Sequence, residues 1–171
     1  MAKLLYAFSC SVDGFIAGPG GDMSWLTPYL GPDPLVEDLI PRIGALLVGR
    51  RTFGGDDPHR GGEGEGKAFG GGWEGPQFVL THHAPATPVP DVTFFGDLTE
   101  AVTAAKAAAG EKYVNVLGAD VARQCLEAGV LDEVLALPVP VLLGSGVRML
   151  DRPGPAVELE PLAPHWYRVL G

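Results

Sequence analysis

Short apolar runs alternate along this chain with segments in which apolar residues recur at helical spacing. Gly, Pro and Asp residues flank these runs, which favours strands that are joined by turns. The runs predict strands over Lys3–Ser9, Ala45–Gly49, Gln77–Thr81, Val92–Phe95 and Tyr113–Leu117. The second of these strands has no polar side chain, so we expect it to be buried on both faces of a sheet.

Three helices are predicted between these strands. Pro34–Ile43 has Asp33 placed as an N-cap, and Pro41 is expected to shorten or kink this helix. Asp97 and Glu100 have the spacing of a capping box and open an alanine-rich helix that Gly110 closes. The third helix is Ala119–Ala128, with Gly129 at its carboxyl end.

The carboxyl-terminal part is predicted to add further strands, and prolines interrupt the first of them. Pro138 and Pro140 indicate an edge or bulged strand there. The predicted segments are Val134–Leu137, Val141–Leu143, Val157–Leu159 and His165–Val169. The succession of strands and helices indicates one α/β domain over residues 1–171, with a largely parallel sheet and ligand sites at the carboxyl ends of its strands.

Residues 54–75 differ in composition from the rest of the chain, because Gly, Asp, Glu and His replace the apolar residues. The run Gly61–Gly66 has almost no apolar surface to bury. We expect a flexible Gly-rich loop here, either mobile near a site or partly disordered.

Composition excludes several classes of function. The chain has 171 residues, 46% of them apolar, and carries 21 acidic against 12 basic side chains, for a net charge of −9. This acidic balance argues against nucleic acids and anionic membranes as partners. The chain has no signal-peptide pattern and no apolar run long enough to cross a membrane, which predicts a cytoplasmic protein. Cys10 and Cys125 lack metal or redox spacing, so no metal site is predicted and both are expected to be small buried residues.

Candidate anion-binding chemistry lies at the predicted strand exits. Gly49, Arg50, Arg51 and Thr52 follow a buried strand at once and offer guanidinium donors and backbone amides to a phosphate. Pairing of the two arginines with surface carboxylates is the alternative. Gly118 joins another strand to a helix, and such a turn can cradle a pyrophosphate or serve packing alone.

Two other strand exits carry polar side chains with more than one interpretation. Asp13 precedes Gly14 in a turn and is either the turn acceptor or a catalytic group. His82 and His83 follow the strand that ends at Thr81, and they are either phosphate donors or ordinary loop residues.

Five segments in order resemble the dihydrofolate-reductase-like family, which includes the reductase domain of bacterial riboflavin biosynthesis. They are Ser11–Ala17, Gly49–Phe53, Phe78–His82, Gly118–Leu126 and Pro140–Gly146. The resemblance implies a three-layer α/β sandwich with a mostly parallel central sheet and an antiparallel carboxyl-terminal edge. It also implies NADPH as the cofactor, bound across the strand ends.

The resemblance assigns expected roles to individual residues. Phosphates would lie against Gly49, Arg50, Arg51 and Thr52, and the adenosine ribose near Thr81, His82 and His83. The pyrophosphate would lie between Leu117, Gly118, Ala119, Asp120 and Val121. The nicotinamide would lie beside Ile16 and Ala17, and the substrate beside Ser9 and Trp25, although core packing is the alternative for this tryptophan.

The expected activity is reduction of a pterin- or pyrimidine-like small molecule, with Asp13, Asp33 or bound water as the proton source. Helix capping is the alternative role for Asp33. Glu37 and Asp38 lie close enough in the sequence to be alternative proton donors. Relatives often carry arginine where this chain has histidine after Thr81, which leaves NADPH and NADH both open. The resemblance also implies a homodimer through the carboxyl-terminal strands. The alternative functions are a nucleotide- or flavin-binding module without turnover and a structural interaction protein.

Overall fold

Ten strands and four α-helices follow one another in the computed structural model, which describes residues 1–171. The strands are β1 (Leu4–Ser11), β2 (Phe15–Ala17), β3 (Ile43–Gly49), β4 (Gln77–Leu80), β5 (Val92–Phe95), β6 (Tyr113–Leu117), β7 (Glu133–Val139), β8 (Val147–Arg148), β9 (Leu159–Ala163) and β10 (Trp166–Val169). The helices are α1 (Pro34–Leu39), α2 (Arg50–Phe53), α3 (Leu98–Ala109) and α4 (Ala119–Glu127). None of them is long and apolar enough to span a membrane.

Eight of the strands form one sheet in the order β5-β4-β3-β6-β1-β7-β10-β9. The strands from β5 to β7 in this order run parallel, whereas β10 is antiparallel to both β7 and β9. The predicted α/β fold, with a mostly parallel sheet and an antiparallel carboxyl-terminal edge, is therefore confirmed. Strands β2 and β8, which the sequence pattern did not indicate, form a separate antiparallel pair.

The core lies on both faces of this sheet. On one face α3 and α4 cover the strands, and on the other α1 and two tryptophans, Trp73 and Trp166, do so. Residues 45–48 of β3 are each at most 2% exposed, as expected for a strand that is covered on both faces. Cys10 and Cys125 are both buried, as predicted.

Local signals explain where the helices begin and end. The Asp33 carboxylate accepts a hydrogen bond from the amide of Leu35, and that of Asp97 accepts one from the amide of Glu100, so both predicted N-caps are present. Helix α1 ends at Leu39, because Pro41 lacks the amide hydrogen that another helical turn requires. Gly110 takes a φ of 65° directly after α3 and ends that helix.

The prediction of an interrupted edge strand near Pro138 is wrong. Strand β7 runs without a break from Glu133 to Val139 and lies inside the sheet, between β1 and β10. Pro138 is tolerated because β10 pairs with β7 only at residues 133–135, so the missing amide hydrogen falls beyond that ladder.

Other boundaries near the carboxyl terminus also differ from the prediction. The predicted strand Val141–Leu143 is a loop, because the amide of Leu143 donates to the Asp13 carboxylate. The predicted strand Val157–Leu159 begins at its last residue and continues to Ala163. His165 lies in the turn before β10 with a φ of 64°, so the last strand begins one residue later than predicted.

Residues 54–75 contain no strand, and their one helical element is a short 3₁₀ turn at Ala68–Gly71. Side chains organise this segment from within, since the Asp57 carboxylate accepts hydrogen bonds from the amides of His59 and Gly66. Its far end is fixed in the core, where the indole of Trp73 donates to the carbonyl of Ile43 at 2.9 Å. The mobility of the segment stays a prediction.

Candidate functional site at the strand exits

The predicted binding residues follow strands that are neighbours in the sheet and run in the same direction. Strands β4, β3, β6, β1 and β7 are adjacent and parallel, so their carboxyl ends share one edge. This edge carries Thr81 after β4, Gly49 at the end of β3, Gly118 after β6 and Asp13 after β1. In open parallel sheets this edge is where ligands bind. Segments distant in the sequence therefore meet at one candidate site.

The exits of β3 and β6 approach each other closely at this edge. A Cβ atom on Gly118 would lie 2.6 Å from Thr52 Oγ1 and 3.7 Å from the amide nitrogen of Gly49. A Cβ atom on Gly49 would in turn lie 3.6 Å from the Val121 side chain. Gly118 has a φ of 110°, which side chains disfavour. Glycine is thus required here both by space and by backbone conformation.

Unused hydrogen-bond donors surround this contact. Helix α4 begins directly after Gly118, no side chain caps it, and the amides of its first turn have no intrahelical partners. Arg50 and Arg51 begin α2 on the adjacent strand exit, both are exposed, and neither forms an ion pair within 4.0 Å. In a chain with a net charge of −9, such a concentration of donors favours an anionic ligand.

Asp120 introduces one negative charge beside these donors. Its carboxylate accepts hydrogen bonds from Arg123 at 2.7 Å and from Gln124 at 2.8 Å. Arg123 is the main cause of the lowered pKa of Asp120, and the charge of Arg51 lowers it further. Arg123, on the same helix, thus balances most of the negative charge of Asp120. The arginines of α2 therefore still contribute positive charge to the edge.

The histidines lie at the outer end of the same edge. Thr81 is buried, donates its amide hydrogen to the carbonyl of Phe95 and accepts a hydrogen bond at Oγ1 from the amide of His83. This turn leaves His82 and His83 exposed beside the exit of β5. Both histidines therefore follow a strand whose neighbour in the sheet ends at Gly49.

Asp13 holds a loop in place. Its two carboxylate oxygens accept hydrogen bonds from the amide of Leu143 at 3.1 Å and from that of Gly144 at 2.7 Å. The hydroxyl of buried Ser11 is the main cause that lowers the pKa of Asp13 to about 2, and these two amides lower it further. The group is consequently ionised at neutral pH, and its contacts are those of an anchor, not of a proton donor.

Asp33 is also occupied by local structure. It caps α1, and no hydrogen bond or ion pair joins its side chain to a strand-exit residue. Its rival Asp38 contacts Arg42 at 3.5 Å on the exposed side of the same helix. The structure thus brings Gly49, Thr52, Gly118 and Val121 together but gives Asp33 the capping role that was its alternative.

The remaining predicted residues lie on β1 or in the chain that follows it. Ile16 is half-buried and Ala17 is buried in β2, where the carbonyl of Ala17 lies directly against Gly146. Ser9 is half-buried on β1, two residues before Ser11. Trp25 is half-buried, and its indole N–H is buried without a hydrogen-bond partner. An unpaired buried donor is unusual in a folded protein, which makes Trp25 a candidate ligand contact.

Some polar residues at this side were not found from the sequence. Ser11 accepts a hydrogen bond from the amide of Phe15, and the wholly buried Asn115 accepts one from the amide of Ala7 while its own NH₂ group has no partner. Asn115 was the one polar residue in an otherwise apolar strand, and that contrast was the available signal. The Asp56 contact with the amide of Met23 was also missed, because composition alone identified residues 54–75 as a loop.

Two cavities of the molecule lie away from this edge. One of about 300 Å³ has a largely apolar lining that includes Tyr6, Leu126 and Arg152. The other, of about 390 Å³, lies at the opposite edge of the sheet beside Arg42 and Lys112. Neither includes a strand-exit residue, so strand topology and donor geometry define the candidate site. No group of three or more His, Cys, Asp or Glu side chains is placed to hold a metal ion.

Several solved structures are similar to this chain. The chain is similar in structure to a riboflavin biosynthesis protein from Shewanella sp. PV-4, with a TM-score of 0.70 and 22% identity over 99% of this chain and 97% of that one. It is also similar to the riboflavin biosynthesis reductase Rib7 of Saccharomyces cerevisiae, with a TM-score of 0.61 and 16% identity over 99% and 90% of the two chains.

A third similar structure is the dihydrofolate reductase of Enterococcus faecalis in complex with NADP(H), with a TM-score of 0.55 and 17% identity over 98% and 94% of the two chains. These likenesses establish the dihydrofolate-reductase-like fold. The model of the RibD C-terminal domain matches residues 2–165, so the chain belongs to that family. No curated protein matches the sequence.

Proposed function

We propose that this protein is an NADPH-dependent reductase of a pterin- or pyrimidine-like small molecule. The observation that carries the proposal is the meeting of Gly49, Thr52 and Gly118 beside two unpaired arginines and the uncapped amino end of α4. Membership in the RibD C-terminal domain family supports reductase chemistry. The likeness to an NADP(H)-bound reductase supports the choice of cofactor.

The residues present fit a dinucleotide. The Thr52 hydroxyl lies against Gly118, so a pyrophosphate at this junction would meet both that hydroxyl and the first-turn amides of α4. In this proposal, the phosphates are bound by Gly49, Arg50, Arg51, Thr52, Leu117, Gly118, Ala119, Asp120 and Val121. Thr81, His82 and His83 contact the adenosine end, and Ile16 and Ala17 lie against the nicotinamide.

Reduction adds a hydride and a proton to the substrate, and the bound nicotinamide supplies the hydride. Ser9 and Trp25 contact the substrate on the β1 side of the edge. The anchored loop at Leu143 and Gly144 closes that side and excludes water. Because Asp13 is held ionised and Asp33 caps α1, bound water is the proposed proton source. The chain then contributes mainly orientation of the two reactants.

The test is NADPH oxidation by the purified protein, followed by absorbance, with 5-amino-6-(5-phosphoribosylamino)uracil and dihydrofolate as substrates. Oxidation that depends on one of these compounds supports the proposal. NADPH binding in calorimetry without oxidation of either compound favours a non-catalytic nucleotide-binding module. Absence of binding to both NADPH and NADH overturns the cofactor assignment.

We also propose that the protein forms a homodimer in the cytoplasm through its carboxyl-terminal edge. Strand β9 ends the sheet, is exposed along its whole length, and presents Leu159 at 42% and Leu162 at 41% exposure. An exposed apolar edge strand is a surface that another chain can cover. Light scattering after size-exclusion chromatography is expected to give twice the mass of the chain for the wild type. The Leu162→Lys variant is expected to give the mass of one chain. A monomeric wild-type protein contradicts this proposal.

A further inference from the structure

Residues 22–27 belong to the segment that connects β2 to α1. The segment leaves β2 on the β1 side, and at its far end the Tyr29 hydroxyl lies 3.5 Å from the carbonyl of Pro140, directly after β7. Trp25 lies in its middle with its unpartnered indole N–H. Besides the short 3₁₀ turns Pro19–Gly21 and Thr27–Tyr29, the segment has no regular secondary structure, so contacts from other parts of the chain must hold it.

Two of those contacts come from the polar insert after α2. Asp56 Oδ2 accepts a hydrogen bond from the amide of Met23 at 3.0 Å, two residues before Trp25. Thr27 Oγ1 donates to the carbonyl of Pro58 at 2.7 Å, two residues after Trp25. The insert therefore holds the segment on both sides of the tryptophan.

The Asp56 carboxylate is well suited to this contact. Its other oxygen pairs with Arg60 within the insert, and its side chain is 23% exposed. The amide of Met23 is the first cause of the lowered pKa of Asp56, so the contact stabilises the charged form. A hydrogen bond to a charged acceptor is stronger than one between neutral groups.

We propose that Asp56 is a positioning residue that sets the substrate side of the cleft by fixing the backbone of Met23 and thereby the place of Trp25. The inference rests on the proposed function for its catalytic consequence. The backbone contact itself does not depend on that function. The polar insert is then a support for the cleft wall, with Thr27 and Pro58 as its second point of attachment.

Amide hydrogen exchange at Met23, measured by NMR, tests the contact without a substrate. Asp56→Ala is expected to accelerate this exchange about tenfold, since it removes a hydrogen bond to a charged group. Asp56→Asn keeps an acceptor oxygen and is expected to give a smaller increase. Arg60→Ala, the matched control, removes only the ion pair and is expected to leave the exchange within about twofold of the wild-type rate. Equal exchange in the wild type and Asp56→Ala overturns the inference.

Steady-state kinetics with NADPH and 5-amino-6-(5-phosphoribosylamino)uracil test the consequence. Asp56→Ala is expected to lower kcat/KM for the pyrimidine about tenfold or more, through misplacement of the cleft wall, with the Kd of NADPH unchanged. Asp56→Ala combined with Thr27→Val is expected to lower it further. A loss of NADPH affinity equal to the loss of kcat/KM indicates general disruption and overturns the positioning role. If the wild type oxidises no NADPH, the proposed function fails. The exchange experiment still shows whether Asp56 holds the amide of Met23.

Discussion

Substitution of Gly118 by alanine tests the close approach of two strand exits. The new Cβ atom would lie 2.6 Å from Thr52 Oγ1, closer than side chains approach one another, so Thr52 must leave its rotamer. Such a displacement costs about 0.5–1.5 kcal/mol. The φ of 110° adds backbone strain of about 1–3 kcal/mol for a residue with a side chain. The expected loss in the free energy of unfolding is therefore about 2–4 kcal/mol, or about 5–15 °C in Tm for a domain of this size.

Gly129, at the other end of α4, supplies the matched control. Its φ is 73°, but no atom lies within 4 Å of the position of an added Cβ atom. Gly129→Ala is therefore expected to cost only the backbone strain, about 1–2 kcal/mol. Adding Thr52→Ala to the Gly118→Ala variant removes the steric clash, so it is expected to recover that part of the lost free energy of unfolding. The part due to backbone strain at residue 118 is expected to remain.

Urea unfolding followed by tryptophan fluorescence measures these differences, and calorimetric titration with NADPH measures their effect on binding. Gly118→Ala is expected to weaken NADPH binding more than Gly129→Ala, since its methyl group displaces Thr52, whose hydroxyl lies at the proposed phosphate site. A Gly118→Ala protein as stable as Gly129→Ala, or one that binds NADPH as tightly as the wild type, would contradict the proposed phosphate site at Gly118.

Further predictions concern charge at the candidate site. The double variant Arg50→Ala with Arg51→Ala should bind NADPH about tenfold or more weakly in calorimetry. It should keep the wild-type Tm, because exposed guanidinium groups without ion pairs add little to folding stability. An unchanged affinity for NADPH would contradict the assignment of these arginines to the phosphates. His83→Arg should raise the preference for NADPH over NADH in the same titrations, and a shift towards NADH would place the histidines away from the 2′-phosphate. The Asp13 carboxyl should titrate by NMR with a pKa of about 2, so its anchor to Gly144 is fully present above about pH 4 and is lost as the pH falls through 2; a midpoint near 4 would mean that the anchor is absent in solution.

The sequence predicted the features that depend on neighbouring residues. Asp33 and Asp97 cap helices because an acceptor side chain directly before a helix satisfies amides two or three residues later. The apolar run before Gly49 predicted a strand covered on both faces, and its residues are buried. The exits at Gly49 and Gly118 were found in the same way, since each glycine stops an apolar strand, although the short helix α2 after Gly49 was not predicted.

The features that the sequence did not predict depend on contacts between distant residues. The Asp13 carboxylate binds an amide 131 residues further along the chain, and local pattern contains no sign of that partner. For the same reason Pro138 gave a wrong prediction, because its effect on β7 depends on how far β10 extends beside it. The contact from Asp56 to Met23 was hidden within a segment whose composition indicated only a loop.

Mapping of amide chemical shifts during titration with NADPH shows which edge of the sheet binds the cofactor. We expect the largest shifts at Gly49, Thr52 and Gly118, with smaller ones at His83 and none at Lys112 on the opposite edge of the sheet. Saturating NADPH that shifts only Lys112 and its neighbours, or no amide at all, would contradict the claim that the carboxyl ends of the parallel strands form the cofactor site.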